Sequence, residues 1–300
     1  MREIIRKVKE SRLTYLEDEA LEDLLFEVQR CNKLSGCFVE MGCALGGSAI
    51  CIASEKIIQK KLRVFDVFGM IPEPTEKDGA DVQQRYEEIR GRGSKGIDGD
   101  VYYGYQENLE KIVEENFKQL LGIKELSERN IELIKGLFVE TVNIDEDIAL
   151  AHIDCDWYNS VYVCLERVVP HLVAGGVIII DDYYVWSGCK RAVDDYMSDK
   201  KEDFYLFYTS RLHIIRKDIT QDDALIAKIE EINQNLFENN EKLRNEYKEL
   251  KEWCDELQDG KDWLEDEYLK LKNWCDELHK AKDWLEGQLE IAKEMGVKRE

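Results

Sequence analysis

Two short stretches hold the residues best suited to chemistry. AHIDCDWYNS (151–160) carries Asp154 and Asp156, and GGVIIIDDYY (175–184) carries Asp181 and Asp182. Side chains alternate along a strand, so Asp154 and Asp156 are expected on one face, with Cys155 pointing the other way. Asp181 and Asp182 follow the apolar run VIII, which as a buried strand would leave them at its C-terminal tip. If the two strands are neighbours, the carboxylates converge at the end of the sheet where open α/β folds bind ligands. Crowded carboxylates repel and raise one another's pKa unless a cation joins them. An oxygen-only set, without His or Cys, suits Mg²⁺ or a similar hard ion that keeps positions open for water or substrate. The bland alternative is a set of acidic loop tips in an acidic protein.

A second candidate lies earlier, in EMGCALGGSA (40–49): Glu40 at the tip of an apolar run, then a glycine-rich turn opening a helix. Glycines let a backbone approach a ligand closely, and a helix start offers free N–H groups. Ala44 stands at the middle glycine of the strict dinucleotide pattern, so a turn that merely needs glycine is the competing explanation. Asp66, 20 residues beyond Gly46 near the end of the next apolar run, suits the ribose hydroxyls of a nucleoside cofactor. Its bland counterpart is an exposed strand-end acid.

These residues need a frame to hold them. Residues 1–35 show helical spacing (Leu21, Leu24, Leu25, Val28) and form a first segment. Beyond Gly36 come short apolar runs at 37–42, 62–68, 130–136, 148–156, 175–183, 204–210 and 212–217. Helical spacing fills 46–60, 105–121, 159–173 and 188–199 between them. Buried strands alternating with helices predict a three-layer α/β domain over 36–218 with a parallel sheet. The last two runs are too close for a parallel crossover and predict an antiparallel edge hairpin. The glycine-rich connection from Pro72 to about Tyr105 is either a mobile lid or a disordered insertion; its place directly after the second strand favours the lid.

Composition narrows the partners. A formal net charge of −22 disfavours nucleic acid and anionic membrane surfaces, whose phosphates need Lys and Arg. Nine scattered cysteines without a CxxC pair read as reduced thiols packed as small hydrophobes. No apolar run approaches a membrane span, and the charged N-terminus lacks a signal-peptide core, so a cytoplasmic protein is expected.

From 219 to 300 the pattern changes to heptads, with leucines at 236, 243, 250, 257, 264, 271, 278 and 285. LKEWCDEL followed by GKDWLE recurs 21 residues later, three heptads on, as LKNWCDEL and AKDWLE. A coiled-coil rod follows as the expectation, through which the chain forms a homo-oligomer. The second seam is poor in aliphatic residues, so Trp253, Trp263, Trp274 and Trp284 either pack within the oligomer or form a ladder for a partner.

VEMGCALGGSA (39–49), VFDVFGMIPEP (64–74), IKGLFVETV (134–142), HIDCDWYNSV (152–161) and GGVIIIDDYYVWSGCKRAVDDY (175–196) resemble, in order, successive motifs of the macrocin O-methyltransferase family. That resemblance covers roughly residues 30–217, leaves the rod outside it, and implies a class I Rossmann-like methyltransferase fold. It implies an enzyme that uses S-adenosylmethionine and Mg²⁺ to methylate sugar hydroxyls. By the same resemblance Asp154, Asp181 and Asp182 bind the metal and Asp156 is the general base, while Glu40, Gly42, Gly46, Ser48 and Asp66 border the methyl donor. Trp157, Asn159 and Val161 stand where the family usually shows Leu, Glu and Thr, a difference that bears on the acceptor more than on the reaction. The expected acceptor is a hydroxyl on a glycan, nucleotide sugar or glycosylated metabolite, and on a glycan-modifying enzyme the rod with its tryptophans would suit a glycan-synthesis partner. Two alternatives remain: a catechol-type small-molecule O-methyltransferase, and a coiled-coil scaffold whose methyltransferase-like domain is idle.

Overall fold

The uniformly apolar runs form the middle of a seven-stranded sheet. In the computed structural model, which describes residues 2–218 continuously and scattered positions from 234 to 282, the strands are β1 (Cys37–Met41), β2 (Leu62–Asp66), β3 (Ile131–Lys135), β4 (Ile148–Ile153), β5 (Leu172–Ile180), β6 (Phe204–Tyr208) and β7 (Leu212–Arg216). Their order is β3-β2-β1-β4-β5-β7-β6. The first five are parallel and β7 pairs antiparallel with both β5 and β6, so the expected edge hairpin is present. Every residue of β1 and β4 is buried, as a central parallel strand covered on both faces requires. β3, at the rim, is only partly buried.

Helices cover both faces. Along β5, Val177 and Ile179 enter one core with α1 (Arg2–Glu10), α2 (Asp18–Cys31), α3 (Gly47–Glu55) and α5 (Leu109–Leu121). Ile178 and Ile180 enter the other, with α7 (Tyr158–Val168) and α8 (Ser187–Met197). α2 shows why these segments are helical: Leu21, Leu24, Leu25 and Val28 recur on one face and are buried, with Asp18 and Glu19 in the first turn and Arg30 in the last. Each such side chain contributes about 2 kcal/mol through the apolar surface it removes from water. α5 repeats the logic with Leu109, Val113 and Phe117 and stops at Gly122, which takes the left-handed conformation.

Residues 1–35 hold two helices rather than one. Arg12 has φ +55°, and the segment between α1 and α2 runs extended instead of continuing the helix. The amide of Gly47 donates to the carbonyl of Leu13 (3.1 Å), which lays this segment on the start of α3. α4 (Ala80–Arg90) lies inside the long connection after β2, followed by 3₁₀ turns at Ile97–Gly99 and Tyr103–Tyr105. Neither form expected for that connection included such a helix.

The chain divides into two compact units, Met1–Phe237 and Glu238–Glu300. In the second, the described positions are helical, and all but Glu241 and Glu267 are exposed, Trp253, Leu257, Leu264 and Trp274 among them. The remaining heptad positions and the expected oligomeric pairing lie outside the described residues. Among the described residues no helix is long and apolar enough to cross a membrane.

One buried cation closes the loop between α3 and β2. Lys56 is 4% exposed, and its ammonium donates to the carbonyls of Lys60 and Arg129. Burial, then the charge of Arg129, lowers its pKa from 10.5 to about 8. The unfolded chain therefore keeps this proton when the folded chain has lost it, and Lys56 makes stability rise with pH across about 8 to 10.5. Measured by urea unfolding, wild type should gain on K56M by roughly 2–3 kcal/mol across that window; a constant difference would disprove the linkage.

Candidate active site

One cavity of about 580 Å³ opens where the loops after β1, β2, β4 and β5 meet. This is the switch point of the sheet, between β1 and β4, where the chain turns outward in opposite directions. Gly42, Ala44, Ser48, Asp66, Asp154, Asp156, Asp181 and Asp182 all line it.

The two acidic pairs meet as expected, though not by strand alternation. β4 ends at Ile153, so Asp154 and Asp156 sit in the turn beyond it. The amide of Asp154 still donates to the Met41 carbonyl (2.9 Å), and Asp156 then takes φ +58°, a left-handed conformation that redirects its side chain. Its amide donates to Asp182 Oδ2 (3.2 Å), and the amide of Asp181 donates to the Ile153 carbonyl (3.0 Å), which ties the two loops together. Oxygens of Asp154, Asp181 and Asp182 lie within 4.8 Å of one another.

The acids differ in how they bear this crowding. Burial, then the charge of Asp181, raises the Asp154 pKa well above normal; burial, then Asp156 and Asp154, does the same to Asp182. Burial also raises Asp156, to about 6, against a hydrogen bond from Trp186 that lowers it. Asp181 is the exception: burial raises it, but His152 and Arg211 together outweigh burial and keep it low. Three convergent carboxylates, two with pKa values raised first by burial and then by one another's charge, fit a hard divalent cation, which takes oxygen ligands and relieves that repulsion.

The turn after β1 has the form a bound nucleoside needs. Gly42 has φ +85°, and a Cβ there would stand 1.7 Å from the Asp154 carbonyl oxygen, so β1 and β4 meet at that point only because it is glycine. Ala44, at φ +47°, adopts a left-handed conformation that costs a non-glycine residue about 1 kcal/mol or more. Asp66 accepts from the amides of Cys43 (2.8 Å) and Phe68 (2.6 Å), which fixes its carboxylate at the cavity wall with lone pairs to spare. Glu40 and Gly46 are placed differently from these. Glu40 is fully buried behind the wall, accepting from Ser48 Oγ and 3.3 Å from His152 Nδ1. Gly46 forms the left-handed N-cap of α3, facing Val113 and Phe117.

Two neighbours were not singled out in the sequence. His152, 1% exposed, stands between Glu40 and Asp181, with Nε2 3.9 Å from Asp181 Oδ1, within reach of its charge but beyond hydrogen-bond distance. Burial would lower its pKa, but the adjoining carboxylates of Asp181 and Glu40, with the charge of Asp154 added, raise it to about 10. Arg211, in the β6–β7 turn, donates through Nε to Asp181 Oδ1 (2.6 Å) and through Nη2 to Glu17 Oε2 (2.9 Å) at the start of α2. A histidine inside the apolar run before Asp154 was the readable signal for the first. A lone arginine in a hairpin turn gave none for the second.

Residues 11–206 match the Macrocin-O-methyltransferase (TylF) family. The chain belongs to that family. Among its curated relatives are the demethyldecarbamoylnovobiocin O-methyltransferase of Streptomyces niveus, 26% identical over 55% of this chain and 59% of the relative, and the 8-demethyl-8-(2,3-dimethoxy-alpha-L-rhamnosyl)-tetracenomycin-C 4'-O-methyltransferase of Streptomyces olivaceus, 29% identical over 54% and 58%. The match thus spans under two thirds of either relative. In fold, this macrocin O-methyltransferase relative is similar to the O-methyltransferase NovP (TM-score 0.56, 23% identity, 69% of this chain and 83% of that one). It is also similar to the calicheamicin methyltransferase CalS11 (TM-score 0.50, 16% identity, 72% and 93%). The sheet with its antiparallel edge is the methyltransferase fold.

If Arg211 is the counter-ion that lets Asp181 stay charged in this family member, R211M should cost about 3–5 kcal/mol in urea unfolding, because it strands a buried charge. Adding D181N should recover much of that loss; a cost of R211M below about 1 kcal/mol would rule the role out.

Proposed function

We propose that this chain transfers a methyl group from S-adenosylmethionine to a sugar hydroxyl of an uncharged or cationic glycoside, with Mg²⁺ or a similar divalent ion in the site. The observation that carries this reading is the convergence of Asp154, Asp181 and Asp182, with Asp156 beside them, in the same cavity as the β1 turn and Asp66. Family membership, the O-methyltransferase activity of both relatives and the rhamnosyl group in the substrate of one support the reaction type.

Each residue has a part that its position suits. The β1 turn and Asp66 hold the donor, Asp66 offering its carboxylate to ribose hydroxyls. Asp154, Asp181 and Asp182 hold the ion, with Arg211 and His152 orienting Asp181 from behind. A free carboxylate is far too weak a base to ionise an alcohol alone, so the ion's contribution is to make a coordinated hydroxyl acidic enough to give up its proton. Asp156, next to the ligand set but outside it, takes that proton as the oxygen attacks the methyl group.

The cavity's charge separates glycosides from nucleotide sugars. Eight carboxylates line it against two guanidinium groups, Arg85 and Arg211. Both are engaged: Arg85 Nη1 with Glu88 (2.7 Å) and Arg211 with Asp181 and Glu17. Even with a divalent ion and the sulfonium donor in place the walls stay negative, so a diphosphate would meet repulsion without a free cation to receive it. The mouth is apolar instead. Val139 and Val185 are 59% and 58% exposed there, beside Trp157 and Trp186 packed edge to face at 5.9 Å, which suits the aglycone of a glycoside.

Calorimetry with S-adenosylmethionine, with and without Mg²⁺, is the first test: lack of donor binding refutes the enzyme reading, and D154A or D182A should abolish metal-dependent turnover. Full activity in EDTA would refute the metal role. A second measurement compares one sugar as its neutral glycoside and as its nucleotide diphosphate. The glycoside should be methylated with at least about tenfold higher kcat/KM, a discrimination of about 1.4 kcal/mol; the opposite order refutes the charge argument alone.

A further inference from the structure

α7 and α8 begin directly after the two acidic loops, yet neither carries its own N-cap. Both start at a tryptophan, Trp157 and Trp186, and neither makes a side-chain capping hydrogen bond. Tryptophan has no acceptor to offer the free amides of a first turn. The acceptors come instead from the long connection after β2. Asp78 Oδ1 accepts from the amide of Tyr158, the first residue of α7 (2.8 Å), while its Oδ2 accepts from the amide of Thr75 (2.8 Å). Asp81 Oδ2 accepts from the amide of Ser187, the first residue of α8 (2.9 Å), and its Oδ1 from the Ser187 hydroxyl.

Two glycines, one on each side, make room for these contacts. A Cβ on Gly188 would stand 2.0 Å from Asp78 Oδ1, and one on Gly79 would stand 2.2 Å from Ser187 Oγ. Further ties reach the same two helices: Trp157 Nε1 donates to the Pro72 carbonyl (2.9 Å), Lys77 Nζ to Tyr158 Oη (3.0 Å), and Arg191 Nη1 to the Lys77 carbonyl (3.2 Å). The connection thus acts as a strap across the starts of both helices, with Ile71, Pro72 and Thr75 forming part of the cavity wall.

We propose that Asp78 and Asp81 are positioning residues: they cap α7 and α8 from outside the helices, so the two acidic loops take their working geometry only when the strap that walls the acceptor side of the cavity is seated. A carboxylate at a helix start is favoured both by the free amides and by the helix dipole, so each contact holds strap and helix together. Asp154 and Asp156 lie within four residues of the first cap, and Asp181 and Asp182 within six of the second. As positioning residues for methyl transfer they rest on the sugar-methylation reading; as caps they do not.

Amide hydrogen exchange on the full chain, followed residue by residue, tests the caps without any substrate. D78A should speed exchange at Tyr158, and D81A at Ser187, by about fivefold, the factor that loss of one N-cap produces. D81N should exchange like wild type, because its amide oxygen can accept from the Ser187 amide while its NH2 donates to the Ser187 hydroxyl, whereas D78N keeps one acceptor for Tyr158 but loses the Thr75 contact and should fall between wild type and D78A. Mg²⁺ titration followed by tryptophan fluorescence should weaken by about fivefold or more in the alanine variants and recover in D81N, with donor binding unchanged. Where activity is measured, kcat/KM for the acceptor should fall in the alanine variants and recover in D81N. If D78A does not fold, G188A serves, since its methyl displaces Asp78 and should raise exchange at Tyr158 with both acids present. Wild-type exchange in the alanine and G188A variants overturns the proposal, as does faster exchange with Mg²⁺ affinity untouched. Response of both exchange and Mg²⁺ affinity in a protein that methylates no sugar upholds the caps and refutes only the sugar reading.

Discussion

Mutual repulsion among buried carboxylates is the constraint around which this domain is arranged. Asp154, Asp156, Asp181 and Asp182 are brought to one end of the sheet by the amides that bind their loops to neighbouring strands and to each other. Confinement alone would drive all four toward their neutral forms. Arg211 and His152 keep one of them charged, and the others remain poised to give up their protons to a cation. Without a cation the geometry favours one charged acid beside three whose hold on their protons is strengthened, whereas a bound cation would favour all as carboxylates; backbone contacts, with Arg211 and His152, keep the arrangement in either case.

Much of this was readable in the chain. The alternation of strands and helices and the edge hairpin follow from apolar run lengths and from which runs lie too close for a crossover, and the acidic pairs meet because β4 and β5 are neighbours, the condition their convergence required. What was misread was local. Alternation along a strand predicted the relative aim of Asp154 and Asp156, but the strand stops one residue earlier and a left-handed turn sets that aim. Periodicity cannot report such a turn, because φ above zero at aspartate leaves no compositional trace. The break between α1 and α2 was hidden for a similar reason: Arg12 is as good a helix former as its neighbours.

Contacts between distant segments were the least legible. Arg211 meets Asp181 across 30 residues and Glu17 across 194, and Asp78 meets Tyr158 across 80. Read singly, Arg211, Glu17 and Asp78 are ordinary charged residues. Glu40 shows the converse. At a strand tip it looked like part of a ligand wall, but the fold turns it inward against Ser48 and His152, where it supports the wall from behind.

The Arg211 ion pair has a consequence for how the chain is made. During synthesis the ribosome releases Glu17, the β4 loop and Asp181 well before the hairpin turn that carries the guanidinium. A nascent domain that has closed its first five strands still lacks the guanidinium that shares with His152 the charge of Asp181. The acidic end of the sheet is therefore completed only once the final hairpin has emerged.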